Sequence, residues 1–348
     1  MTPATINDVA RVAGVSKKTV SRVLNDEPHV SDLLRERVTA AAAELRYRPN
    51  VSARSLRGPR SYVVGFLLSG ARMIDAHPYA VQAQLGALAA CREAGYHLVV
   101  EAIEPSSPDL RRDLEQLSST LRVDGVILLP PLCDNTALMD ALDANGIAYA
   151  RIAPATDAGR SPHVDPDDRQ AARTMTEYLL DLGHRRIGFI AGPDGHSAST
   201  CRLDGYRDAM MERGVAILDD LIRPGLFNPD SGYQQAQVLL ALPEPPTAIF
   251  ASNDLMAFGV IAKAQEMGCQ LPQTLSIAGF DDIPVSNVIW PRLTTMRQPV
   301  TEMTRLATQM VISRASGSDI PPEPPHRTLR CELVVRGSTA PPAAPSIP

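Results

Sequence analysis

Two spacings of apolar residues divide this chain. Up to about residue 60 apolar positions recur three and four apart, and beyond it they gather into short runs separated by amphipathic stretches. In the first region Ile6, Val9, Ala10 and Ala13 make one stripe of a short helix. Thr5 stands where it caps that helix, with Asp8 three residues on as the reciprocal partner of a capping box. Gly14 supplies a turn, and Ser16 caps a second helix from Lys17, in which Val20, Val23 and Leu24 face inward. Lys17, Lys18, Ser21, Arg22 and Asn25 lie off that stripe, a row of donors suited to a helix laid along a DNA groove. The alternative is a solvated basic hairpin.

Pro28, in the polar turn Asp26–His29, stops the second helix, and Ser31 caps a third over Asp32 to Leu45. Its inner face is Leu34, Val38, Ala41, Ala42 and Leu45. Tyr47–Arg57 carries Arg48, Arg54 and Arg57, with only Ala53 and Leu56 as an apolar edge. By propensity alone so short a segment reads as a linker.

From Ser61 the pattern changes. Tyr62–Leu68, His97–Ile103, Val126–Leu129, Tyr149–Ile152, Ile187–Ala191, Ala248–Ala251 and Ser276–Phe280 read as buried strands. Helices over Val81–Ala94, Asp167–Leu182, Cys201–Arg213 and Asp254–Met267 lie between them. Alternating β and α argues parallel sheets, and seven runs exceed what one half-domain needs. The expected fold class is α/β: a three-helix head with a helix-turn-helix, joined to a body of two doubly wound lobes with a cleft between them.

Charge sharpens the division. Residues 1–60 carry 11 Lys and Arg against 6 Asp and Glu, whereas the rest carries 23 against 33. A basic head on an acidic body is expected when only the head touches phosphate. No apolar run approaches a membrane span and no signal pattern opens the chain, so a cytoplasmic location is expected. The five cysteines are scattered without metal-ligand spacing and read as reduced packing residues. The body has no Gly-x-Gly-x-x-Gly, Walker or Gly-x-Ser-x-Gly element, which argues against an enzyme; no metal and no cofactor are expected.

The head motif Val9-Ala-x-x-Ala-Gly-Val-Ser-x-x-Thr-Val-Ser-Arg-Val-Leu-Asn25, with Val30-Ser, Tyr47-x-Pro-Asn50 and Ala53-x-x-Leu56, resembles the lactose-repressor/galactose-repressor family of bacterial transcription regulators. The resemblance implies that the second helix reads the major groove. It also implies that residues 50–58 become a hinge helix on DNA, paired with a second copy, with Leu56 as the minor-groove wedge. Lys17, Lys18 and Arg22 are then the leading base-readers, and Thr5, Ser16, Thr19, Ser21, Asn25 and His29 the phosphate contacts. Asn50, Ala53, Arg54 and Leu56 complete the DNA set by position.

The body carries the resemblance from about 61 to 339, in Gly183–Gly192, Arg202-x-x-Gly-Tyr206, Ala251-Ser-Asn-Asp254, Gly279-Phe-Asp-Asp282 and Leu293-Thr-Thr295. It is similar to type I periplasmic sugar-binding proteins, whose chain crosses between lobes three times. By that analogy one lobe is 61–160 plus 293–320 and the other 161–292 plus 321–339. Domain bounds follow as 1–48 for the head, 49–60 for the hinge and linker, and 340–348 for a disordered tail.

Asn253 and Asp281 follow strands, where open α/β sheets bind ligands. Arg202 offers forked donors to hydroxyls or a carboxylate. Phe227 stands where the family places an aromatic, and Gln298, Ser69 and Tyr79 complete the effector set. Asp281 equally suits a helix cap, and Phe227 equally suits core. Ala153 stands where the family often has an acid, and Arg151, two residues earlier, implies either an acidic ligand or an arginine satisfied by a neighbouring acid. No heptad repeat follows Thr339, so a homodimer is expected rather than a tetramer. Together these imply a repressor bound to operator DNA and released by a small sugar or sugar acid, with a purine co-repressor as the second reading. A solute-binding protein is the rival from another class.

Overall fold

In a computed structural model the chain divides into two compact units, Met1–Tyr62 and Val63–Pro348. The structure describes residues 4–24, 30–45, 47, 60–70, 78–104, 107, 110–317 and 326–343. Asn25, His29, Asn50, Ala53, Arg54, Leu56 and the hinge segment lie outside the described residues.

The first unit holds three helices, α1 (Ile6–Ala13), α2 (Lys17–Leu24) and α3 (Asp32–Glu44). Their apolar stripes meet in one small core of Val9, Ala13, Val20, Val23, Val38, Ala41 and Ala42. The ends of α1 are closed as the sequence requires. The Asp8 carboxylate accepts from the Thr5 backbone N–H at 2.9 Å and from its hydroxyl at 2.7 Å. Those bonds, the Thr5 hydroxyl foremost, hold the Asp8 carboxyl down at about 2. At the other end Gly14 takes φ +62, and Arg37 donates to the freed carbonyl of Ala13 at 2.6 Å. The Ser16 hydroxyl accepts from the Thr19 N–H at 3.0 Å, which starts α2.

The second unit contains two parallel sheets. The first lobe's sheet uses β1 (Val63–Ser69), β2 (His97–Ile103), β3 (Gly125–Leu128), β4 (Ala148–Ile152), β5 (His163–Pro166) and β11 (His326–Leu329), in the order β11-β5-β4-β3-β1-β2. Helices α4 (Pro78–Ala94), α5 (Leu110–Glu115), α6 (Thr136–Ala144) and α11 (Val300–Ala315) accompany it. The second lobe's sheet is β7 (Ile222–Arg223), β6 (Ile187–Ile190), β8 (Ala248–Ala251) and β9 (Ser276–Ala278), flanked by α7 (Asp168–Asp181), α8 (Ser197–Glu212), α9 (Pro229–Leu240) and α10 (Asp254–Glu266). β10 (Thr295–Arg297) and β12 (Glu332–Val334) form an antiparallel pair tied to this lobe through single bridges from Ala278 and Asp281.

The side-chain period of two explains the layers. On β6 and β8, Ile187, Phe189, Ala248 and Phe250 pack with α7 and α8 residues such as Met175, Leu179, Tyr206 and Met210. Their alternates Ile190, Ile249 and Ala251 pack with Leu239, Met256, Val260 and Ile261 of α9 and α10. Both faces are covered, so the runs are continuously apolar. His97–Ile103 departs from the expectation of a buried strand: β2 is the sheet's edge and most of it is only half-buried.

Strand membership also moves the expected lobe boundaries. Residues 163–166 and 326–329 belong to the first sheet, and 295–297 to the second lobe. The crossings therefore fall near 167, 298 and 330, not 160, 293 and 320. These three- and four-residue strands carry His, Asp, Thr and Arg and so leave no apolar run to mark them. The expected tail bound of 340 is placed differently as well. The Ala340 carbonyl accepts from the Ser276 hydroxyl at 2.9 Å and contacts His184 Nε2 at 3.0 Å, so Ala340 is held against the second lobe; 344–348 lies outside the described residues. Among the described residues no helix is long and apolar enough to cross a membrane.

Helices α7 and α8 touch through a glycine. A Cβ on Gly205 would sit 2.1 Å from the Arg169 carbonyl oxygen, whereas one on Gly159 would meet nothing within 4 Å. Gly205→Ala is expected to lose about 1–3 kcal/mol in urea unfolding followed by circular dichroism. Gly159→Ala is expected to stay within about 0.5 kcal/mol.

Candidate functional site

In the first unit α2 buries Val20 and Val23 and turns Lys17 and Lys18 fully to solvent, with Thr19, Ser21 and Arg22 half-exposed. The helix has no acidic residue, so nothing on it neutralises those cations. Thr5 and Ser16 are exposed at the helix starts, and the Ser16 and Thr19 hydroxyls lie 2.9 Å apart. Backbone N–H groups and hydroxyls at helix starts suit phosphate, and long cations from one helix face suit base edges. The described members of the expected DNA set thus lie on α2 or at the starts of α1 and α2, none of them buried.

The second unit carries a pocket between its strand ends. Tyr79, Arg202, Phe227, Asn253, Asp281 and Gln298 line it, together with Pro130, Ala153, Pro166, Asp168, His196 and Ala198. Nearly all of these follow the C-terminal ends of strands in one lobe or the other, the position where open parallel sheets present ligand-binding residues.

Arg202 is the central charge. It is 4% exposed, its Nε donates to Asp168 at 2.9 Å, and one Nη donates to the Ser252 carbonyl at 2.6 Å. That same Nη lies 3.7 Å from Asp281, and the guanidinium carbon sits 3.7 Å from the centre of the Phe280 ring. Burial works against the charge, but Asp168 and then Asp281 more than offset it, and the Arg202 pKa rises. Burial pushes the Asp168 carboxyl up, against the pull of Arg202. Gln298 donates to Asp281 at 2.6 Å and so brings the second crossing segment to the same group.

Asn253 is fully engaged in structure. Its side-chain oxygen caps α10 by accepting from the Met256 N–H at 2.9 Å, and its amide donates to the Phe227 carbonyl at 3.1 Å. That bond helps hold Phe227 at φ +57. The Phe227 ring lies over Gly192, where a Cβ would come within 2.1 Å of it. His196, at the start of α8, meets the ring edge-on at 5.1 Å. Ala153 and Asp281 also take positive φ, at +48 and +120, so three non-glycine residues in this strained region line one cavity. Such backbone clusters at ligand clamps, at roughly 1–3 kcal/mol each.

Beside the cavity Asp254 ties three segments together. It accepts from the Thr295 hydroxyl at 2.5 Å, the Ser286 hydroxyl at 2.5 Å and the Ile283 N–H at 3.0 Å. Burial, with Asp281 nearby, pushes its carboxyl up to about 8.

Two expected residues are placed elsewhere. Ser69 ends β1 but does not line this cavity. Arg151 is wholly buried beside the sheet and does not line it either. Its Nε donates to the Ser161 hydroxyl at 2.9 Å, and its Nη groups to the carbonyls of Thr156 at 2.9 Å, Asp157 at 2.5 Å and Cys133 at 3.4 Å. Loops 131–135 and 153–161 fold over Arg151, and its hydrogen bonds go to carbonyls and a hydroxyl, with the Asp165 carboxylate near enough to feel its charge. Conversely Asp168 and His196 line the cavity without having been expected. Asp168 was legible in principle, since a buried arginine needs a carboxylate near a helix start, but the sequence offers several.

A family model of bacterial regulatory proteins, lacI family, matches residues 5–50, and a periplasmic binding protein-like domain matches 176–339. The ribose operon repressor of Escherichia coli K12 is 35% identical over 316 residues, spanning 89% of this chain and 93% of that one. The probable HTH-type transcriptional repressor ExuR of Bacillus subtilis is 31% identical over 314 residues, 90% and 92% of the two chains. The chain belongs to the LacI family. The family is one of DNA-binding transcriptional repressors, not of enzymes. Among solved structures, a transcriptional regulator CelR–cellobiose complex superposes with TM-score 0.73 at 32% identity over 96% of this chain and 99% of that one. The lac repressor dimer bound to operator and the anti-inducer ONPF gives TM-score 0.73 at 29% identity over 97% and 99%. Both match the architecture of a helix-turn-helix unit with a two-lobed body.

Lys18→Ala is expected to change the preferred operator in a binding-site selection, because its cation stands free of the helix core; an unchanged preference would count against base reading. Asp168→Ala leaves Arg202 without its closest carboxylate and is expected to cost about 3–5 kcal/mol in denaturant unfolding.

Proposed function

We propose that this LacI-family member represses transcription from a pseudo-palindromic operator as a homodimer in the cytoplasm, and that a small neutral sugar filling the cavity releases it. The observation that carries the ligand class is the charge and shape of the lining. Two carboxylates, Asp168 and Asp281, face one guanidinium, so acceptors and donors alternate without a surplus of positive charge. Neutral hydroxyls bridge such a set, and the Phe227 and Tyr79 rings offer flat apolar faces to a sugar ring. With Arg151 removed from the cavity, a sugar acid loses its particular support and becomes the second choice. A purine co-repressor rests only on the Phe227 ring.

Lys17, Lys18 and Arg22 read bases in this account, while Thr5, Ser16, Thr19, Ser21, Asn25 and His29 hold phosphates. Residues 49–60 form the hinge, with Asn50, Ala53, Arg54 and Leu56 at the operator centre. Filling the cavity draws the two lobes together, because its lining comes from both. That closure changes the spacing of the paired first lobes and unpairs the hinges. The coupling is reciprocal, so operator binding weakens sugar binding by the same factor.

The test is a thermal-shift screen of the full chain against pentoses, hexoses, disaccharides, uronates and purines, followed by gel shift at fixed salt. A neutral sugar at 100 times its Kd is expected to stabilise the protein by about 2.7 kcal/mol and to release operator. Arg202→Met is expected to abolish the shift. A response to purines alone, with tighter operator binding, would replace this reading with co-repression.

A further inference from the structure

Away from the cavity, the edge of the first sheet gathers two imidazoles and a carboxylate. His163 and Asp165 are two apart on β5 and so share one face. β11 pairs with β5 in parallel register, His326 opposite His163 and Thr328 opposite Asp165. The two imidazole rings stack at 4.5 Å with 21° between planes. One oxygen of Asp165 lies 3.4 Å from His163 Nε2 and 3.0 Å from His326 Nε2, and one donor atom from each residue falls within 4.8 Å of the others.

The tautomer of His163 sharpens this. Its Nδ1 lies 3.3 Å from the Ser161 carbonyl, which only accepts, so Nδ1 carries the proton. Nε2 then faces the Asp165 carboxylate, as does His326 Nε2, which also lies 3.1 Å from the Thr328 hydroxyl. A carbonyl behind Nδ1 is also the usual orienting contact of a metal-bound histidine. His163 is buried and held by this contact, whereas His326 is half-exposed. Arg151, opposite His163 on β4, adds a positive charge, but four oxygens of Ser161, Thr156, Asp157 and Cys133 surround its guanidinium.

We infer that His163, Asp165 and His326 form a site for one transition-metal dication, with Zn²⁺ the best fit. Two imidazoles and one carboxylate, with an open position for water, match zinc's ligand preferences and exclude Mg²⁺ and Ca²⁺, which take oxygen donors. The ion would tie β5, which leads into the first crossing, to β11, which leads into the third. Asp167 already joins these segments, donating from its N–H to the Leu329 carbonyl at 2.9 Å and accepting from the Cys331 N–H at 2.7 Å. A bound ion therefore reinforces a junction that lobe movement must strain.

The test uses the full chain, stripped with chelator, without effector or DNA, so its outcome is independent of the sugar reading. Calorimetric titration with ZnCl2 is expected to show one strong site per chain and a raised Tm. His326→Ala and Asp165→Asn are each expected to weaken binding at least about ten-fold, and His326→Ala, at a half-exposed position, should leave the Tm of the stripped protein unchanged. Co²⁺ should give visible d–d bands without a thiolate charge-transfer band, which separates this site from the five cysteines. Absence of a strong site, unchanged affinity in both variants, or a thiolate band would overturn the proposal and leave the cluster as histidines in polar contact with Asp165.

Discussion

A charge that cannot leave sets the geometry of the second lobe. Arg202 is almost wholly removed from water, and an arginine so placed is tolerable only if opposite charge and acceptors surround it. Its partners arrive from separate segments: Asp168 at the start of α7, the Ser252 carbonyl at the end of β8, and Asp281 after β9. Each must therefore end where Arg202 can reach it. Asp168 lies directly beyond the first crossing, so the same ion pair also fixes where the chain enters the second lobe. The Phe280 ring beneath the guanidinium closes the remaining side.

Around that anchor, polar residues serve the backbone before they serve any ligand. Asn253 spends both ends of its amide on a helix start and on Phe227, and Asp254 spends its carboxylate on two hydroxyls and an N–H. These bonds over-determine the loops, which is the condition under which Ala153, Phe227 and Asp281 persist at positive φ. The cavity is thus preformed by hydrogen bonds internal to its walls, and a ligand meets groups whose orientation is already fixed. An expectation that treats Asn253 and Asp281 only as ligand contacts or only as caps misses that one side chain does the structural task while still lining the cavity.

The head was legible almost residue by residue. Its caps, turn glycine and stripe are local, since each bond spans three or four residues, and Thr5, Asp8, Gly14 and Ser16 perform the expected tasks. In the body, strands such as β1, β3, β6 and β8 were legible because burial on both faces leaves an unbroken apolar run. β5, β7, β10, β11 and β12 were not, because polar or charged residues interrupt each of them and their neighbours are distant in sequence. The lobe boundaries inherited that error.

By itself the sequence determined the family pattern, the division into a basic head and an α/β body, and most residues that gather at the cavity, because periodicity, capping and strand ends are short-range properties. Only the tertiary structure decided what each side chain faces. Arg151 shares a strand with the expected site yet turns its charge into carbonyls of two overlying loops. Asp168 enters the cavity through a partner 34 residues away. His163 and His326, far apart in the chain and unremarked as a pair, become neighbours because parallel strand pairing sets register across any separation. Long-range register and the compensation of buried charge are properties of the assembled fold, and no local pattern carries them.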